Sequence, residues 1–171
     1  MPTFNDCYIC HMVERLYIDM DGVLVDFDAR ADEFGCRKHP GKDPSAIDWN
    51  IPKAVGPDYW ANMRWTPGGK AFWDSCRKLC SDGDIEMGIL TAMDIPAGVK
   101  GKNLWVHWNT DLDNEHFIIV RHGVDKSRFA APGRVLVDDT QKNIDAWVEA
   151  GGIGILYTSP DQAFKELIDL I

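Results

Sequence analysis

Five short apolar runs, near residues 16–20, 86–91, 117–120, 135–138 and 154–157, alternate with segments whose apolar residues recur at helical spacing. Strands that alternate with helices can bury their apolar faces in few ways. The economical one is a parallel sheet covered by helices on both sides, a doubly wound α/β domain. The helical faces are legible: Phe72, Cys76, Leu79 and Cys80 mark one, and Ile144, Trp147 and Val148 another. The last helix is the clearest. Ser159 can cap it, Pro160 suits its first position and Gln162 completes a capping box. Its stripe is Ala163, Phe164, Leu167, Ile168 and Ile171. A chain of 171 residues is long enough for one such domain with a proper core.

One stretch breaks the alternation. Residues 27–65 are rich in Pro, Gly, Trp and Asp, and show no convincing strand. They read as a small, partly helical cap inserted into a core made of residues 16–26 and 66–171, with residues 1–15 as an N-terminal extension. In such sheets ligands bind beyond the carboxyl ends of the strands, so site residues should follow strands.

The net charge of −9 argues against a nucleic-acid polymer as partner, since gripping its backbone calls for a basic face. The apolar runs are too short to cross a bilayer, and no signal-type segment opens the chain, so a cytoplasmic location is expected. The five cysteines are an odd count that fits reduced thiols. Cys7-Tyr8-Ile9-Cys10-His11 has the spacing of a haem-attachment motif or half a zinc site. No export signal supports the first and no second such pair supports the other. The expectation is therefore an N-terminal extension with chance thiols.

Chemistry concentrates at strand ends. Asp19-Met20-Asp21-Gly22 follows the first apolar run, and alternate residues there put two carboxylates on one side. The glycine lets the chain turn away tightly. Clustered carboxylates repel each other unless a cation joins them. Val135-Leu136-Val137-Asp138-Asp139 is a second apolar strand ending in acids, far away in sequence. Converging, the two pairs would make an oxygen-rich site suited to Mg²⁺.

In this pattern the sequence resembles the haloacid dehalogenase (HAD) superfamily. Its first motif is matched by Asp19–Leu24, its second by Thr91 after Gly88-Ile89-Leu90, its third by Asp125-Lys126 and its fourth by Asp138-Asp139. The resemblance implies a Mg²⁺-dependent phosphatase in which Asp19 attacks phosphorus and forms an aspartyl-phosphate. Asp21 would serve as general acid and then base. Thr91 would offer its hydroxyl and nearby amides to the phosphate, and Lys126 would offset the negative charge. Mg²⁺ would be held by Asp19, the backbone carbonyl of Asp21 and an acid of the Asp138-Asp139 pair. The resemblance favours Asp139 for that contact, though the order stays open. It also places the first strand centrally, beside residues 135–138.

Within the superfamily the sequence is most similar to the 5′(3′)-deoxyribonucleotidases. The likeness rests on the Asp-Met-Asp-Gly-Val opening, Asp26-Phe27, Tyr59-Trp60, Pro67-Gly68, Lys102 with Trp105-Val106, and Asp125-Lys126. It departs where that family has Thr-Ser-Pro, since Thr91 is followed by Ala92-Met93. The implied substrate is a nucleoside monophosphate, with Phe27, Trp60, Trp65, Thr91, Lys102 and Lys126 as substrate contacts. Trp60 and Trp65 can form an aromatic box or simply pack the cap. Trp73, Trp105 and Trp147 read as core. The rival readings are a phosphatase for a sugar phosphate or other small metabolite, and a non-catalytic binding protein on the same scaffold.

Overall fold

The computed structural model describes residues 13–40 and 44–171. Cys7, Cys10 and His11, with the reading given to them, lie outside the described residues. The expected α/β architecture is present. Strands β1 (Arg15–Ile18), β2 (Glu86–Ala92), β3 (Phe117–Val120), β4 (Arg134–Asp138) and β5 (Ile153–Leu156) form one parallel sheet in the order β3-β2-β1-β4-β5. The strand at the middle of the sheet is β1, with β4 on one side and β2 on the other. The chain first winds outward through β2 to β3 and then returns to lay down β4 and β5 beyond β1. The direction of winding therefore changes between β1 and β4, where α/β sheets open a crevice.

The central strands β1, β2 and β4 are buried on both faces, as their continuous apolar runs require, and the edge strands β3 and β5 are partly buried. Leu16 and Ile18 join the larger core, with Ile89, Val135 and Val137. Tyr17, between them in sequence, points to the opposite face and packs with Leu90, Leu136, Ile144 and Trp147. Four α-helices follow the sheet closely: α4 (Gly69–Asp82), α5 (Pro96–Asn109), α6 (Gln141–Glu149) and α7 (Pro160–Leu170). The capping box of α7 forms as expected, the Gln162 backbone amide donating to Ser159 Oγ at 3.2 Å and the Ser159 amide to Gln162 Oε1 at 3.5 Å. Trp73, Trp105 and Trp147 are all core residues.

The segment after β1 carries three short helices, α1 (Phe27–Glu33), α2 (Asn50–Val55) and α3 (Asp58–Ala61), numbered before α4 in chain order. Its described residues contain no strand, only isolated bridges between Asp21 and Val25, Val25 and Trp65, and Arg37 and Ile47. Asp26 caps α1, accepting from the Ala29 amide at 2.9 Å. Helix α3 lies directly on α5. A Cβ on Gly101 would come within 2.3 Å of the Pro57 carbonyl and 2.7 Å of Trp60 Cβ, so only glycine allows this approach. No helix among the described residues is long and apolar enough to cross a membrane.

Candidate active site

Sheet register brings the acidic motifs together. Ile18 pairs with Val137 on one side and Ile89 on the other. The residues one step further along β1 and β4, Asp19 and Asp138, therefore emerge side by side, and Thr91 lies next to the last residue of the neighbouring strand on the other flank. The Asp19 amide donates to the Val137 carbonyl at 3.0 Å, holding the loop to the strand end. Ligand atoms of Asp19, Asp138 and Asp139 all lie within 4.8 Å of one another.

The turn after Asp21 depends on Gly22, whose φ is +78°. A Cβ there would also sit 2.2 Å from Asp139 Oδ2, so glycine lets the first and fourth motifs touch. This joins an unusual backbone conformation and a close approach at one residue.

Two buried lysines divide the aspartates between them. Lys126, carried on a 3₁₀ turn over Gly123–Phe129, donates to Asp19 Oδ1 at 2.8 Å and to Asp138 Oδ2 at 2.6 Å. Burial pulls the Lys126 ammonium down, but the charges of Asp19 and Asp138 outweigh it and the net shift is upward. Burial pushes the Asp138 carboxyl up to about 6 and Asp19 adds to this, while Lys126 and the Thr140 amide work against it. Asp138 is wholly enclosed: beyond Lys126 it accepts from the Thr140 amide at 2.8 Å and from Asn143 Nδ2 at 3.1 Å. Asp139, by contrast, lines a cavity. Lys102 donates to Asp21 Oδ2 and Thr91 Oγ1, both at 2.7 Å, and to the Ala92 carbonyl at 3.2 Å.

The cavity beyond these strand ends has a volume of about 530 Å³. Its floor includes Asp19, Asp21, Thr91, Lys126 and Asp139, and its far wall is Phe27, Arg37, Ile47 and Trp49. Ligand pockets usually fall in the range of about 300–1,000 Å³. Arg37 is pinned by Asp28 at 2.6 Å and Asp32 at 2.9 Å, which raises its pKa further. Phe27 and Trp49 stand with ring centroids 5.8 Å apart and tilted by 35°.

The expected site residues thus separate into two groups. Asp19, Asp21, Phe27, Thr91, Lys126 and Asp139 border the cavity, and Asp138 lies immediately behind. Trp60, Trp65 and Lys102 are not among the residues bordering it. Trp60 is fully buried, with its ring 5.1 Å from Tyr59 and its Cβ against α5. Trp65 packs edge-on to Trp105 at 4.7 Å. These two rings fill the base of the inserted segment, so the expected aromatic box is not built from them. Trp49 and Asn143 escaped the sequence reading. Trp49 has Pro52 as near to it as Pro57 is to Trp60, so no local signal set it apart from its fellows. Asn143 had a readable signal, since it follows Asp138-Asp139 on the first turn of the next helix.

Oxygen donors from three carboxylates suit a hard divalent cation. Among the described residues, Lys126 pairs with Asp19 and Asp138, and Lys102 with Asp21.

No family model and no curated protein matches the sequence. The fold does have solved counterparts. A HAD-like hydrolase from Burkholderia xenovorans LB400 aligns with TM-score 0.58 and 16% identity, over 90% of this chain and 85% of that one. A HAD-like hydrolase from Streptococcus pneumoniae gives 0.53 and 18%, over 83% of each chain. A HAD family hydrolase from Deinococcus radiodurans R1, solved with bound phosphate and sodium, gives 0.53 and 15%, over 94% and 89%. The five-stranded parallel sheet, its strand order and these counterparts agree on one statement: the chain has the haloacid dehalogenase-like fold.

Proposed function

We propose that the protein is a Mg²⁺-dependent phosphomonoester hydrolase that works through an aspartyl-phosphate on Asp19, and that its substrates are nucleoside monophosphates. The observation that carries the reading is the convergence of Asp19, Asp138 and Asp139 with the buried Lys126 at the strand ends. The fold counterpart from Deinococcus holds a phosphate and a cation, which is in keeping with this chemistry.

The residues suit their steps. The Lys126 ammonium and the Met20 amide both bind Asp19 Oδ1, at 2.8 Å each, which leaves Oδ2 as the oxygen for attack. As the bond from Asp19 to phosphorus forms, the bond to the leaving oxygen breaks, and that oxygen takes a proton from Asp21. Water then adds to phosphorus, passes a proton to Asp21 and releases the Asp19 carboxylate. Lys126 has three N–H groups and spends two on Asp19 and Asp138, so one remains for a phosphate oxygen. Thr91 accepts from Lys102, which leaves its own hydroxyl proton to donate. Asp19, Asp139 and the Asp21 carbonyl would hold Mg²⁺, with Asp138 fixing Lys126. When bound, the cation supplies charge neutralisation at the phosphoryl oxygens.

The nucleotide part of the reading rests on the far wall. Phe27 and Trp49 offer flat faces beside the phosphate end of the cavity, where a base can stack. The test of the core chemistry is release of phosphate from an aryl phosphate. Wild-type protein should lose activity to a chelator and regain it with Mg²⁺, and Asp19→Asn should be inactive while still folded. Turnover by Asp19→Asn, or indifference to chelation, would sink the mechanism.

A further inference from the structure

Lys102 was expected to be a substrate contact, and its surroundings say otherwise. The side chain is fully buried and does not border the cavity. An ammonium has three N–H groups. Here they meet three acceptors, Asp21 Oδ2, Thr91 Oγ1 and the Ala92 carbonyl. None remains for a phosphate oxygen. All three partners do border the cavity, so Lys102 stands one layer behind the groups that would meet substrate.

The geometry points to Lys102 as the positioning residue for Asp21, keeping the proton-carrying carboxylate apart from the metal-binding carboxylates. This rests on the phosphatase reading above and deepens it. Asp19 and Asp21 are separated by a single residue, and both would be attracted to a divalent cation. Each has been given its own lysine: Lys126 takes Asp19, and Lys102 takes Asp21. The outcome is visible in the acid cluster, where Asp19, Asp138 and Asp139 gather within 4.8 Å and the Asp21 carboxylate is not among them. A carboxylate held in a charge-assisted bond to a buried ammonium keeps its rotamer. An Asp21 side chain that swung onto the cation would no longer be placed to pass its proton to the leaving oxygen. Asp21 Oδ1 fits this assignment. Among the described residues it has no hydrogen-bond donor, so with Oδ2 bound to Lys102 it is the oxygen left to carry the proton.

The backbone of Lys102 is fixed to match. Gly101 beside it is pressed against Pro57 and Trp60 of the inserted segment. The lysine is thus clamped between the sheet ends in front and α3 behind.

The test compares leaving groups. Lys102→Met removes the anchor and keeps an unbranched chain of similar length. With Mg²⁺ and a series of aryl phosphates, it should lower kcat for poor leaving groups by about a hundredfold or more, within the usual reach of general acid catalysis. Good leaving groups should lose far less, and KM should change little. Lys102→Gln retains a donor and should show the same pattern more weakly. Equal losses across the series, or a raised KM at unchanged kcat, would overturn the inference and return Lys102 to the substrate contacts. Should both variants fail to fold, wild-type crystals grown with Mg²⁺ and tungstate decide the matter. The inference requires Lys102 Nζ to keep its bond to Asp21 and make none to tungstate; a direct bond to tungstate overturns it. An active Asp19→Asn would instead bring down the phosphatase reading itself, so the two failures are told apart.

Discussion

The floor and the far wall of the cavity are built on different principles. The floor comes from strand ends, where the register of a parallel sheet leaves little choice. Once Ile18 lies between Val137 and Ile89, Asp19, Asp138 and Thr91 must cluster. The far wall comes from short helices and the links between them, over residues 27–61. Among the described residues no ladder of hydrogen bonds ties these helices to the sheet, and side-chain packing largely decides which rings face inward. A motif at a strand end therefore predicts a site, whereas an aromatic in the inserted segment predicts only that some surface is covered.

The largest effect should come from damaging the floor without removing a functional group. Gly22→Ala forces a left-handed φ on alanine and drives its methyl into Asp139 Oδ2. Displacing a catalytic group by about 1 Å can cost on the order of a hundredfold. We expect at least that loss in kcat/KM for every phosphate ester, together with weaker Mg²⁺ activation, measured by steady-state kinetics over a metal titration. Near-normal kinetics would mean that the floor is as pliable as the wall.

Next in size is a change in the packed base of the wall. Trp60 is fully buried among Tyr59, Pro57 and α5. Trp60→Ala should cost about 3–5 kcal/mol of stability, read as a fall in the denaturant midpoint. The loss of activity that accompanies it should be the same for all substrates. A stable variant with altered substrate preference would show that Trp60 reaches the ligand after all.

The smallest and most selective effect should come from the wall's inner face. Trp49→Ala removes a ring bordering the cavity. Stacking a base is worth about 1–3 kcal/mol, so kcat/KM for nucleoside monophosphates should fall roughly 5- to 150-fold. A small phosphate ester without a flat group should be nearly unaffected, and stability should change little. If both substrate classes decline together, the nucleotide reading fails and a phosphatase for another small metabolite takes its place.

The sequence by itself determined the strands, the acidic strand ends and most of each helix face, although Val148, Ile168 and Ile171 of the expected faces are exposed. All of these depend on local periodicity or on residues adjacent in the chain. Residues 117–120 match β3 to the residue, and the capping box of α7 was readable from Ser159, Pro160 and Gln162. The central position of β1 beside β4 followed from a resemblance rather than from periodicity, and the sheet order agrees with it. Only the tertiary structure decided what each inward group touches. It assigned Lys126 to Asp19 and Lys102 to Asp21, distances of one hydrogen bond that no spacing encodes. It also turned Trp49 toward the cavity while enclosing Trp60. The physical reason is the same in each case. Backbone periodicity is a property of neighbours in sequence, whereas the partner of a buried side chain is chosen by packing and charge among residues that meet only once the chain has folded.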